Sequence, residues 1–168
     1  MLAISLILVG ILIRFLPHAA NFTPVAAIAL FSGTYLKKKY ALLVPLALMV
    51  ISDFVIGLHD VVLFTWGGFV LVVILGWAMQ KKLNPARVIS FSLISSLLFY
   101  LVTNFGVWLI GWYPRNLKGL MDCYIMGLPF LRNFTVATLC YAAVFFGAYE
   151  LIARCVKDTK LARVLLTK

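Results

Sequence analysis

The stretch Arg14–Gly33 reads RFLPHAANFTPVAAIALFSG and lies between two apolar runs of the chain. It brings an Arg, a His, an Asn and two prolines together in a sequence otherwise rich in aliphatic and aromatic residues. Ionisable groups are costly at membrane depth and usually face a cavity or a partner. We therefore expect other scarce polar residues to gather around this stretch in the fold.

The composition indicates an integral membrane protein. Of the 168 residues, 64% are hydrophobic and only 12% are charged, and the mean hydropathy is +1.08. A soluble domain is typically about a quarter charged. The net charge of +10 lies mostly in short clusters between apolar runs. Such clusters are typical of topology signals and of contacts with anionic lipid, so we expect no nucleic-acid partner.

Apolar segments predict an all-α, polytopic protein with six transmembrane helices. We expect one six-helix domain over residues 1–153 and a basic cytoplasmic tail over residues 154–168, folded as a short interfacial helix. A loop is predicted at Trp112–Asn133, long enough to act as a lid. The predicted segments are Leu2–Leu16, Phe22–Leu36, Ala41–Leu58, Val61–Met79, Val88–Gly111 and Phe134–Ala153.

The basic residues predict how these helices are oriented. Eleven of the 15 Lys and Arg residues follow the second, fourth and sixth segments. Cytoplasmic loops carry the excess of basic residues in membrane proteins. We therefore expect both termini in the cytoplasm (N-in, C-in), in the inner membrane of a bacterium.

With this orientation, the remaining polar residues collect near the outer surface. Three hypotheses stay open for them: a structural network in which Arg14 pairs with Asp53, a solute-binding cavity open to the outside, and a metal or catalytic site. The candidate residues are Arg14, His18, Asn21, Asp53, His59, Asp60, Asn104, Trp108, Tyr113, Arg132 and Asn133.

In the binding hypothesis these side chains have different roles. Arg14 or Arg132 would hold a carboxylate or phosphate, and Asp53 would orient Arg14 or contact a cationic group. Trp108 and Tyr113 would stack on a ring. Asn21 and Asn133 are each expected to cap a helix that begins at the outer surface, and the helix dipoles would then favour an anionic ligand.

The metal or catalytic hypothesis has a weaker signal. Metal ions can be bound by side chains such as those of Asp53, His59, Asp60 and His18, but the spacing of these residues matches no known ligand pattern. The sequence also contains no catalytic motif of the kind found in soluble enzymes. The three cysteines are far apart. We therefore expect no enzymatic activity, metal or cofactor. An intramembrane enzyme and a ligand-free structural or assembly protein are the alternatives.

Small residues predict close helix packing. Ala29-x-x-x-Gly33 and Ala143-x-x-x-Gly147 allow helices to approach, and we expect them to serve packing within the chain. In the fifth segment four hydroxyl residues fall near one helical face: Ser92, Ser95, Ser96 and Thr103.

Several motifs resemble one family. Arg14–Gly33, PLALMVISDFVIGLHD (Pro45–Asp60), TNFGVW (Thr103–Trp108) and the pairs YP, CY and PF look like those of small uncharacterised bacterial membrane proteins. That family is grouped with the substrate-binding (S) components of energy-coupling-factor (ECF) transporters. The resemblance implies a six-helix S-component-like bundle that captures a micronutrient, such as a vitamin or a metal ion. It also implies as partners a transmembrane coupling subunit and two cytoplasmic ATPases. Many S components carry Ala-x-x-x-Ala on the first helix, and Leu2–Leu16 does not.

Overall fold

Six α-helices follow one another along the chain in the structure, a computed structural model that describes residues 1–14, 21–159 and 162. This confirms the all-α class, and the six helices among these residues equal the predicted number of apolar segments. His18 lies outside the described residues, as does most of the tail beyond Thr159. The helices are α1 (Leu2–Arg14), α2 (Val25–Tyr35), α3 (Lys38–Ile56), α4 (Val62–Met79), α5 (Pro85–Leu109) and α6 (Leu117–Val156).

Helices α4, α5 and α6 are long and apolar enough to cross a membrane. Helices α1 and α2 are apolar but have only 13 and 11 residues in the described part of the chain. A straight span needs about 17–25 residues. The prediction of six spans, and of their orientation, therefore stays a prediction.

The region between α5 and α6 differs from the prediction. Helix α6 begins at Leu117 and continues for 40 residues through Pro129, so the predicted loop Trp112–Asn133 is mostly helix. The side-chain oxygen of Asn116 accepts a hydrogen bond from the Gly119 N–H at 2.8 Å and caps the helix. The connection is therefore only residues 110–116, too short for the predicted lid. Helix α6 also runs past the expected boundary at residue 153.

The short helix α2 is the centre of the bundle. Residues 25–34 are all buried, and α2 packs against each of the other five helices. Its closest neighbour is α4, because Gly33 and Gly76 face each other. A Cβ built on Gly33 would lie 2.4 Å from the Val73 carbonyl oxygen and 2.9 Å from Gly76 Cα. This confirms internal packing for the Ala29-x-x-x-Gly33 pattern.

The second small-residue pattern has no such role among the residues that the structure describes. Ala143 and Gly147 are exposed on α6, and a Cβ on Gly147 would meet nothing within 4 Å among the described residues. By contrast, Gly10 of α1 lies against α2 and α6, since a Cβ there would be 2.8 Å from Ile28 and 2.7 Å from Phe145.

The outward faces of the helices carry large apolar side chains. A surface of this kind suits lipid better than water, since soluble monomers rarely expose extended apolar patches. Among these exposed side chains are Leu8, Leu12, Leu43, Ile51, Phe54, Val55, Leu63, Ile89, Leu97, Val144 and Leu151.

Candidate functional site

A cavity of about 410 Å³ lies at one end of the bundle. This volume is within the range of roughly 300–1,000 Å³ typical of small-molecule sites. We call this end the cavity end. Helices α1 and α3 end there, and α4 begins there. The described residues that line the cavity are Arg14, Asn21, Thr23, Met49, Asp53, Gly57, His59, Val61, Thr65, Phe69, Phe99, Tyr100, Thr103, Asn104, Val107, Phe130, Leu131 and Phe134.

Arg14, the last residue of α1, is held by three side chains at the cavity wall. Its Nε donates to Ser52 Oγ at 2.9 Å and its Nη1 donates to Thr23 Oγ1 at 3.2 Å. Its Nη2 lies 3.4 Å from Asp53 Oδ1, which forms the ion pair expected from the sequence. The guanidinium therefore joins α1 to α3 and to the segment that precedes α2.

Asp53 is buried and has a second partner on α4. Its side chain is only 5% exposed, and the indole Nε1 of Trp66 donates to Oδ2 at 2.9 Å. Both carboxylate oxygens therefore accept hydrogen bonds. A buried carboxylate needs such compensation for the water it loses on folding. Arg14, Thr23, Ser52, Asp53 and Trp66 are called the Arg14 network below.

Asn104 belongs to α5 and lies where α5 contacts α6. Its Nδ2 donates to the Tyr100 carbonyl oxygen at 2.9 Å, and its Oδ1 lies 4.0 Å from Cys123 Sγ. Gly127 gives this amide room, because a Cβ there would be 2.5 Å from Oδ1. The Tyr100 hydroxyl donates to the Tyr124 carbonyl oxygen and holds the two helices together.

Five of the predicted candidates line the cavity: Arg14, Asn21, Asp53, His59 and Asn104. Asn21 does not cap α2 as predicted. It has a positive φ of 59° and is followed by three residues before the helix begins at Val25. Its side chain instead belongs to the connection between α1 and α2.

The other described candidates lie outside the cavity lining. Trp108 donates from Nε1 to the Pro114 carbonyl oxygen at 3.1 Å and stabilises the turn after α5. Asp60 accepts from Trp112 Nε1 at 3.3 Å on the surface. Arg132 is exposed, and Asn133 lies inside α6, so its predicted helix cap is wrong. Tyr113 is half-buried in the connection to α6.

Asp53, His59 and Asp60 do not form a shared catalytic or metal site in the described part of the chain. Asp53 is engaged in the Arg14 network, whereas Asp60 is paired at the surface. Within residues 1–14, 21–159 and 162, no group of three His, Cys, Asp or Glu side chains is placed to hold a metal ion.

Sequence reasoning missed the network's other members and the aromatic lining. Ser52 is next to Asp53 in the sequence, and Thr23 lies in the segment before α2, so the sequence contained weak evidence that they belong to the site. Trp66 is 13 residues from Asp53, and no local pattern connects them. Phe69, Phe99 and Phe134 resemble ordinary core residues in the sequence.

The comparisons with known proteins give a family. Residues 1–161 match a family described as "Family of unknown function (DUF6580)". Comparisons with curated proteins and with solved structures give no match. The matched range includes all six helices and every described residue of the cavity lining. The chain therefore belongs to the DUF6580 family of unknown function.

Proposed function

We propose that this protein is a membrane-embedded solute-binding component of an ECF-type transporter. It captures a small micronutrient from the outer side of a bacterial inner membrane. A transmembrane coupling subunit and two cytoplasmic ATPases then complete the uptake. The cavity supports solute capture, and the sequence resemblance stated above supports the coupling.

The observation that carries the proposal is the composition of the cavity. Scarce polar side chains from distant parts of the sequence meet there, including Arg14, Asp53 and Asn104. A protein whose polar residues served only helix packing would not need a cavity of about 410 Å³ among them. Concave sites with a few convergent polar groups in an apolar lining are typical of small-molecule binding.

The proposed orientation places the cavity on the outer side. At the other end of the bundle, Lys37 lies in the connection after α2, Lys38 and Lys39 open α3, and Lys81 and Lys82 lie in the connection after α4. Under the positive-inside rule this lysine-rich end is cytoplasmic, so the cavity end faces outward.

Native mass spectrometry tests the proposal. The protein is purified in mild detergent from its own host and sprayed intact. We expect a retained small molecule, and co-purified coupling and ATPase chains when the membranes are solubilised gently. A bare monomer from several growth media would contradict solute capture. A retained molecule without ATPase chains under any solubilisation condition would contradict coupling alone.

A further inference from the structure

Three phenylalanine rings from three helices form one wall of the cavity. Phe69 comes from α4, Phe99 from α5 and Phe134 from α6. The centroids of Phe69 and Phe99 are 4.6 Å apart, and those of Phe99 and Phe134 are 4.5 Å apart with an interplanar angle of 19°. We call these three rings the aromatic wall.

The aromatic wall is held in place by its surroundings. Phe69 and Phe134 are only 2% and 4% exposed. Phe99 lies against the backbone of α4, because a Cβ on Gly68 would be 2.9 Å from its Cδ2. Ordered aromatic rings favour a planar ring as a partner, since offset stacking adds to the gain from apolar burial.

The polar part of the cavity includes hydrogen-bond acceptors on α4 and α5. The hydroxyls of Thr65 and Thr103 donate to carbonyl oxygens of their own helices, at 3.2 Å and 2.8 Å. Each oxygen keeps lone pairs that can accept from a ligand. Asn104 uses one N–H of Nδ2 as a donor to Tyr100, and its amide oxygen keeps lone pairs that can accept.

The charges of the cavity cancel. With His59 counted as neutral, Arg14 and Asp53 are the charged residues of the described lining, and they neutralise each other across 3.4 Å. An anionic ligand that took Arg14 would leave the buried Asp53 carboxylate without its cation. Breaking a buried ion pair in this way is strongly unfavourable. Arg132 supplies no second cation, because it is exposed and outside the lining.

We infer that the solute is an uncharged compound with a planar ring. The ring stacks on the aromatic wall, and N–H or O–H groups at its edge donate to Thr65, Thr103 and Asn104. This inference rests on the proposed function, because it takes the cavity to be a solute site. It sets aside the carboxylate or phosphate ligand expected from the sequence, and also a metal ion.

A retention experiment tests the class of ligand. Wild-type protein in lipid nanodiscs is incubated with the small-molecule extract of its host cells and washed. Retained molecules are released by denaturation and identified by mass spectrometry. An uncharged planar-ring compound is the expected result. Retention of only carboxylates, phosphates, metal ions or ring-free solutes overturns the inference and leaves solute capture intact. Retention of nothing overturns both.

A matched pair of variants tests the stacking contact. The retained compound itself is the probe, and its affinity is measured by equilibrium dialysis. Phe99→Leu should weaken binding roughly 2- to 12-fold, the range for losing an aromatic pair. Phe105→Leu, on the same helix, should leave affinity unchanged, because Phe105 contacts Phe64 and Trp108 away from the cavity.

Folding is checked by size-exclusion chromatography and thermal unfolding. If Phe99→Leu does not fold, Phe134→Leu takes its place. Wild-type affinity in a folded variant of the aromatic wall would contradict stacking, and equal weakening by Phe105→Leu would show that the effect is not local to the cavity.

Discussion

At the scale of single residues, Arg14 and Asp53 show how a charged pair can be kept in an apolar bundle. The pair is nearly buried, with 13% and 5% of the two side chains exposed. Attraction between the charges alone does not repay the loss of water at such a site. Hydrogen bonds from Arg14 to Ser52 and Thr23, and from Trp66 to Asp53, provide the further stabilisation that offsets this loss.

Asp53→Asn should destabilise the protein, because it leaves the Arg14 charge buried without its partner. Breaking a buried ion pair typically costs about 3–5 kcal/mol. In a chain of this size that corresponds to a fall of roughly 6–20 °C in Tm. Thermal unfolding in detergent measures the change.

Asp60→Asn is the matched control, since that carboxylate is exposed and accepts from an exposed tryptophan. It should change Tm by less than about 2 °C, as surface substitutions usually do. Equal losses in the two variants would show that the Arg14 network does not stabilise the fold.

Trp66→Phe should weaken the same network through its hydrogen bond to Asp53 Oδ2. Hydrogen bonds to charged groups contribute about 1.5–3 kcal/mol. In the Asp53→Asn background, Trp66→Phe should lower the free energy of unfolding by less than it does in the wild type. The difference, which is the coupling energy of the two residues, should be at least about 0.5 kcal/mol. Urea unfolding of the four proteins of this double-mutant cycle gives the coupling, and strict additivity would exclude a shared network.

The sequence was sufficient to identify several polar residues of the cavity lining and insufficient to identify the apolar ones. Arg14 and Asp53 stood out because charge is rare in apolar segments, and they do pair. Trp108 and Tyr113 were chosen as stacking residues for their chemistry alone. The rings that line the cavity are phenylalanines, whose positions depend on how α4, α5 and α6 pack together.

At the scale of helices, α6 explains the largest difference between prediction and structure. Pro129 and the polar residues near it indicated a loop. A proline is tolerated within a helix when packing supports it, and the Asn116 cap marks the true start of α6. Asn is a common N-cap residue, but the prediction did not consider Asn116 as a cap.

Spin labels placed singly at residues 117–128 should show a helical period. Gly119, Cys123 and Gly127 are buried, whereas Met121, Ile125 and Met126 are exposed. A label at Cys123 should therefore be immobile and labels at the three exposed positions mobile, whereas labels at Gly119 and Gly127, where a side chain has no room, should disturb the packing. Electron paramagnetic resonance line shapes report the mobility. Uniform mobility along this stretch would restore the loop interpretation.

Gly33→Ala and Gly147→Ala should have opposite consequences despite their similar sequence patterns. The new methyl group at residue 33 meets backbone atoms of α4, which cannot move without separating the two helices. We expect a loss of about 1–3 kcal/mol, typical of overpacking. At Gly147 the space is open, and a better helix former should be neutral or slightly stabilising. Thermal unfolding compares the two variants, and equal effects would contradict the close contact of α2 with α4.

At the scale of the whole molecule, the bundle separates two chemical environments. The cavity and its polar groups lie at one end, and lysines from the connections after α2 and α4 lie at the other. Between them the outward helix faces are apolar. This division is compatible with the proposed capture of a solute on one side of a membrane and the proposed contact with cytoplasmic partners on the other.

Thiol labelling tests this orientation. Lys82→Cys and Arg115→Cys are made in a background without the three native cysteines. A membrane-impermeant reagent added to intact cells should modify the cysteine at 115 and should reach the cysteine at 82 only after the cells are opened. The reverse pattern would place the cavity on the cytoplasmic side.

The central claim is that the cavity holds a small solute, and blocking it is the most direct test. Thr103→Trp places a large ring in the cavity, whereas Leu101→Trp places it on the exposed face of the same helix. Native mass spectrometry compares both with the wild type after purification from the same host. We predict a small-molecule adduct on the wild type and on Leu101→Trp, and none on folded Thr103→Trp. Equal adducts on all three proteins, or none on any, would contradict the account.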